Sequence, residues 1–141
     1  MQNPPPPLPP PGPPGGKTRI GLQENVAAAL CYLTMFFCGL GIVVSLVFFL
    51  VEKTSRFVRF HSMQGLLFGA VWIVAGIAYK VLYGGVGNGI LGIGLFAALL
   101  LIFLILVLFL IVATVKAYQG QYYKLPLLGD IAWNVIDKPS L

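Results

Sequence analysis

Two long stretches without a charge decide what this chain can fold into. Val26–Val51 runs for 26 residues and Leu91–Val115 for 25 without a charged side chain, and the second contains the unbroken apolar run Leu95–Val112. A bilayer core of about 30 Å takes roughly 20 helical residues at about 1.5 Å each, so both stretches are long enough to cross it. Strands buried in a soluble core are also apolar, but they run about 4–8 residues, and length therefore selects helices. A third block, Met63–Tyr79, is uncharged and reaches a spanning length when extended to Tyr83, with Lys80 placed to snorkel and Tyr79 and Tyr83 to anchor at the interface. The composition agrees: 58% of residues are hydrophobic and 9% charged, and the mean hydropathy is +0.91. A soluble domain carries about 25% charged residues, and one with so few would expose apolar patches that soluble monomers do not tolerate.

The expected fold is an all-α membrane protein. It is a small bundle of three transmembrane helices, over about 26–51, 63–83 and 91–115, followed by a short C-terminal interfacial helix. Residues 1–19 form a Pro/Gly-rich tail and residues 20–138 the helical membrane domain. The first block leaves two paths open. As one straight helix it would be about 39 Å long, and Gly39-Leu40-Gly41 in its middle is where a kink costs least. Alternatively, two half-helices, 26–38 and 42–51, enter and return on one side, which requires protein to cover the exposed backbone of the turn. The lengths favour three spans, and the charges favour the re-entrant path. Three crossings put Lys53, Arg56, Arg59, Lys116, Lys124 and Lys138 on one side against Lys17, Arg19 and Lys80; a re-entrant block moves Lys17 and Arg19 across and leaves Lys80 alone. Both paths place the 52–62 loop and the C-terminus in the cytoplasm, because basic residues are retained there.

Residues 1–16 hold nine of the eleven prolines. Proline fixes φ and removes the backbone donor, so this tail reads as extended polyproline II ending in Gly15-Gly16. The net charge of +5 resides in the flanks of the apolar blocks rather than in a stripe, which points to lipid headgroups and away from nucleic acid.

Four carboxylates, one histidine and two cysteines leave little from which to build an active site. No catalytic, cofactor-binding or metal site is expected, and the chain is read as not an enzyme. Cys31 and Cys38 share a helical face but are too few for a metal centre. Gly87-Asn88-Gly89-Ile90-Leu91-Gly92 has the spacing of a dinucleotide fingerprint, but no strand precedes it and a membrane span follows; residues 84–94 read as a turn. The densest polar stretch contains Arg56, Phe57, Arg59, Phe60, His61 and Gln64. His61 and Gln64 stand at i,i+3 and share a face just inside the membrane surface. They form either an interaction patch at the cytoplasmic mouth or hydrogen bonds that hold neighbouring helices together. Gly65, Gly69 and Gly76 lie on one helical face and allow close packing within the bundle or between protomers. After the third span, Tyr118, Tyr122 and Tyr123 form an interfacial belt. Beyond Pro126, the 3–4 spacing of Leu128, Ile131, Ala132, Val135 and Ile136 predicts a short amphipathic helix lying on the membrane, with Trp133 near the surface.

Two segments, Glu52-Lys53 through Arg59-Phe60-His61-Ser62-Met63-Gln64 and Val115-Lys116-Ala117-Tyr118-Gln119-Gly120-Gln121-Tyr122-Tyr123-Lys124-Leu125-Pro126, carry a family resemblance. In this order, separated by two apolar spans, they resemble the small prokaryotic multi-pass membrane proteins classed as a domain of unknown function, described as similar to the Tic channel subunit of chloroplast inner-envelope import. The resemblance covers about residues 20–130, and Ser62 stands where that pattern has Ala. It implies a helical domain in a prokaryotic plasma membrane. The function expected is that of a non-enzymatic subunit or scaffold meeting another membrane protein or a second copy through the Arg/Phe/His/Gln patch and the glycine face, with the lipid bilayer as its other partner. The alternative is a component of a transport or protein-translocation pathway, with His61 and Gln64 at its entrance.

Overall fold

The first apolar block does not make one helix. In a computed structural model, which describes residues 16–37, 39–86 and 89–137, it folds as two antiparallel pieces, α1 (Glu24–Leu33) and α2 (Leu40–Val51), joined by a 3-10 turn at Thr34–Phe36. Gly39 turns the chain at φ 86°, a left-handed conformation that an L side chain resists. Ser45 Oγ donates to the Cys31 carbonyl at 3.2 Å, and Gly41 lies against Met35, so the two pieces run back along each other. The continuous or kinked first span is therefore replaced by the half-helix arrangement. Described backbone groups of the turn bond within it: Phe37 N–H donates to the Thr34 carbonyl, Leu40 N–H to that of Phe37 and Ile42 N–H to that of Gly39, while Thr34 Oγ1 donates to the Leu30 carbonyl at 2.6 Å.

Two long helices follow, α3 (Arg56–Val86) and α4 (Ile90–Tyr118). Their apolar parts, Arg56–Gly85 and Ile90–Tyr118, are long and apolar enough to cross a membrane. Both exceed the lengths expected from the sequence. The polar stretch 56–62 is the first two turns of α3 and not a loop. Ser55 caps the helix there, its Oγ accepting from Val58 N–H at 3.3 Å, a bond that satisfies one of the helix's orphan donors. At the other end Gly84, Gly85 and Leu91–Gly94 are helical, so the expected 84–94 turn is much shorter.

The hairpin packs into one end of the α3–α4 pair, α2 against α3 and α1 against α4 and α3. Small residues permit the close approach: Ala27, Ala28 and Cys31 of α1 are fully buried in one core with Ala113 and Ala117 of α4. On α3, a Cβ at Gly65 would lie 2.5 Å from Ser45 Oγ, and one at Gly69 would collide with Ile42. These two glycines are the seat of α2. Gly76, two turns further on, meets nothing within 4 Å. The hairpin thus stops near Gly69, about 20 Å along a helix of about 46 Å, and beyond it α3 and α4 run with their side chains largely exposed, Val74 at 65% and Ile93 at 67%.

Helix α5 (Leu128–Asp137) docks on α3. Its face buried against the protein is Gly129, Ala132, Trp133 and Ile136, while Ile131 and Val135 of the apolar stripe are exposed and Trp133 is 5% exposed. Trp133 packs on Phe60 and Tyr122, and two ion pairs, Arg56–Asp137 and Lys124–Asp130, tie down the helix. The proline-rich run 1–15, Cys38, Gly87, Asn88 and residues 138–141 lie outside the described residues.

The glycine seat makes a direct prediction. Gly65→Leu and Gly69→Leu each destabilise the protein by about 1–3 kcal/mol through overpacking, because Ser45 Oγ cannot swing aside without abandoning the Cys31 carbonyl. Gly76→Leu stays within about 0.5 kcal/mol of the parent. Thermal unfolding of the three variants in one detergent checks the order.

Candidate functional site

The sequence directs attention to Arg56–Gln64, and the structure turns most of that stretch inward. Phe60, His61 and Gln64 are fully buried and Phe57 is 6% exposed; Arg59 is partly exposed and Arg56 exposed. His61 stands at the centre. Its Nδ1 lies 2.9 Å from the Tyr32 hydroxyl and its Nε2 3.2 Å from the Gln121 carbonyl. A carbonyl only accepts, so Nε2 carries the proton and donates to it, while Nδ1 accepts from the Tyr32 hydroxyl. Phe57, Phe60 and Tyr32 meet the ring edge-on at 4.6, 5.1 and 5.7 Å, and Tyr122 stacks at 6.3 Å. One turn deeper, Gln64 Nε2 donates to the Tyr123 carbonyl at 3.2 Å, and its Oε1 is buried without a protein partner.

These bonds join three chain segments. Tyr32 comes from α1, His61 and Gln64 from α3, and the two carbonyls from the stretch that follows α4. The polar pair therefore acts as a tie between helices. Its neighbours serve the same end: Arg56 and Lys124 reach over the Trp133 ring at 5.7 and 5.4 Å, and Arg59 over Phe49 at 5.5 Å. Of the tyrosine belt, Tyr118 is 64% exposed, whereas Tyr122 and Tyr123 are partly buried. Among the described residues, no group of three His, Cys, Asp or Glu side chains is gathered to hold a metal ion.

Glu52 is a second polar centre, which sequence reasoning did not single out. It is 1% exposed. Its Oε1 accepts from the N–H groups of Thr54 and Ser55 at 2.9 and 3.1 Å and from the Thr54 hydroxyl, and its Oε2 accepts from Arg19 N–H at 2.8 Å. Burial alone would raise its pKa, but these four donors outweigh it and hold the carboxyl at about 2 against an ordinary 4.5. One carboxylate thereby clips the segment before α1 to the loop after α2. An acid ending an otherwise apolar block was the available signal for it. Tyr32, the one tyrosine of that block, gave a similar signal, since its hydroxyl needs a partner when buried. The role of the Gln121 carbonyl had no sequence signal.

With the fold in place, comparison with known proteins assigns the chain to a family. Residues 23–132 match the model of the magnetosome magnetite crystal formation protein family. The chain belongs to that family. Its similarity extends to archaeal proteins named as UPF0132 membrane proteins. One from Methanocaldococcus jannaschii is 37% identical over 118 residues, covering 83% of this chain and 92% of the relative. One from Archaeoglobus fulgidus is 37% identical over 114 residues, 79% of this chain and 93% of the relative. A second from M. jannaschii is 36% identical over 114 residues, 80% of this chain and 70% of the relative. No solved structure matches. The matched residues include the hairpin, the His61 tie and the first half of α5.

Two outcomes test these centres. Tyr32→Phe removes the donor to His61 Nδ1 and lowers stability by about 1–3 kcal/mol, the cost of an unsatisfied buried acceptor, as read by chemical denaturation in detergent. For Glu52, the folded pKa lies below the unfolded one, so the carboxylate's stabilisation is complete above pH 4.5 and is lost as pH falls towards 2. Glu52→Gln is accordingly less stable than the parent at neutral pH, and the gap narrows on acidification through that window.

Proposed function

We propose that this chain is a non-enzymatic integral membrane subunit, entering the bilayer from the cytoplasmic face and engaging other membrane proteins or a second copy of itself. The carrying observation is where its polar groups go. His61, Gln64 and Glu52 are consumed by bonds within the chain, and the Gly65–Gly69 face is covered by α2. Apart from Lys80, what remains outward on the outer halves of the long helices is mainly apolar. The expected engagement through the Arg/Phe/His/Gln patch and that part of the glycine face therefore shifts to the outer halves of α3 and α4. There a cleft of about 380 Å³ opens between Trp72, Gly76 and Tyr79 on one helix and Phe96, Leu99 and Phe103 on the other. A family described by magnetite crystal formation in magnetosomes, with relatives named only as membrane proteins, accommodates a structural component of this kind. A transport or translocation role through His61 has less support, since Tyr32 and the Gln121 carbonyl occupy both ring nitrogens.

The same reading sets the topology. Half-helices of 10 and 12 residues reach only about 15 and 18 Å, short of the roughly 30 Å core. Their exposed turn residues Phe36, Phe37 and Leu40 suit acyl chains and not water. Two spans and a re-entrant hairpin follow, with both hairpin ends, the tail and α5 on one side. Lys17, Arg19, Lys53, Arg56, Arg59, Lys116 and Lys124 gather there against Lys80 at the other end, and the positive-inside rule makes that side cytoplasmic in a plasma membrane.

Cysteine-accessibility mapping in a Cys31/Cys38-free background tests the path. Gln2→Cys, Thr54→Cys and Ser140→Cys label only from the cytoplasm and Asn88→Cys only from outside. A Gln2→Cys that labels from outside restores three spans. Purification in gentle detergent with crosslinking recovers an oligomer or a stoichiometric membrane partner; a strictly monomeric, partnerless protein counts against the subunit role.

A further inference from the structure

The cations at the charged end are not equivalent. Arg56 and Lys124 are paired with Asp137 and Asp130. Arg59 lies over the Phe49 ring, and Lys116 donates to Gln121 Oε1 at 2.9 Å. Among the described residues Lys17, Arg19 and Lys53 remain, all exposed, and the Glu52 clip brings their segments together at the open base of the hairpin. The Glu52 oxygens accept from three backbone N–H groups and one hydroxyl rather than from any of these side chains. The Glu24 carboxylate lies against Gly16.

The loop that carries two of these cations has a defined shape. Thr18 N–H donates to the Leu22 carbonyl at 2.7 Å and Gly21 N–H to the Thr18 carbonyl at 2.9 Å. Lys17 bridges to Gln23. The loop presents Arg19 beside Ile20, which is 52% exposed, and Leu22, which is 37% exposed; across the clip, Lys53 follows Leu50 and Val51, 61% and 39% exposed. Apolar side chains bordered by unpaired cations are the surface that sinks into the acyl boundary while its charges meet headgroup phosphates.

We infer that Lys17, Arg19 and Lys53 form a collar at the hairpin base that binds the headgroups of anionic phospholipids in the leaflet the hairpin enters. The inference rests on the topology above. The occupant is a lipid and not a soluble anion, because the exposed Ile20, Leu22 and Leu50 gain burial only at a membrane surface. In this arrangement the collar holds at headgroup level a hairpin that has no end on the far side to anchor it.

The test uses the full chain in nanodiscs of phosphatidylcholine alone or phosphatidylcholine with phosphatidylglycerol. Phosphatidylglycerol raises the unfolding temperature of the parent protein, and native mass spectrometry finds it retained over phosphatidylcholine. Replacing all three residues, Lys17→Gln, Arg19→Gln and Lys53→Gln, abolishes most of that shift and lowers retention on the order of a hundredfold, roughly fivefold per cation. Lys80→Gln at the opposite end changes neither. If the triple variant does not fold, Lys17→Arg with Lys53→Arg supplies the second arm: the charge-conserving pair keeps the shift, whereas Lys17→Gln with Lys53→Gln loses most of it. A Gln variant that retains the full shift overturns the collar, as does a parent protein with no preference for phosphatidylglycerol. Inorganic phosphate added to phosphatidylcholine discs gives no shift; an equal shift there overturns the lipid assignment in favour of a soluble-anion site. Failure of the topology is separately visible, since it would appear as outside labelling of Gln2→Cys whatever the lipid response.

Discussion

The arrangement depends on how closely α2 can approach α3. A helix that does not reach across a bilayer has a turn at membrane depth, and backbone polar groups there find no water. In the topology proposed above, the turn between α1 and α2 meets this constraint partly by bonding to itself and partly by being held against protein. Holding it requires the hairpin to lie flush on α3, and Gly65 and Gly69 are the positions where flush contact occurs. With side chains at both, Ser45 would be displaced from the Cys31 carbonyl and the two halves of the hairpin would lose a bond between them.

The polar interior follows from that placement. Once α1 lies beside α3 and α4, the Tyr32 hydroxyl arrives at His61 and the chain leaving α4 passes close enough for its carbonyls to reach His61 and Gln64. Every one of these groups would be costly to bury alone. Paired, they fix the register of three segments at once, which apolar contacts between smooth helices do poorly. The Glu52 clip does the same at the mouth of the hairpin, and the Arg56–Asp137 and Lys124–Asp130 pairs do so more weakly for α5, where solvent screens them.

Much of this was legible in the residues, and the rest was not for identifiable reasons. The membrane class and the helices follow from length, hydropathy and spacing, and so does the close packing at Gly65 and Gly69, though not at Gly76. The path of the first block was undecided because length and charge pulled in opposite directions, and hydropathy is indifferent to whether a segment crosses or returns. Charge proved the better guide, since it registers where the ends of a segment lie. The docking of α5 through Trp133 was not legible, because an indole flanked by two cations depends on side chains from α3 and the α4–α5 connection. For the polar stretch, the sequence indicated that bonds would form without indicating whether the partner was internal, because the Gln121 and Tyr123 carbonyls are common to every residue.

The depth at which the hairpin stops has a further consequence. At the end bearing the cations the chain is at least four helices wide; beyond Gly69 it narrows to two. In the topology proposed above, a body with that taper displaces unequal areas of lipid from the two leaflets. Each added copy therefore crowds one leaflet more than the other.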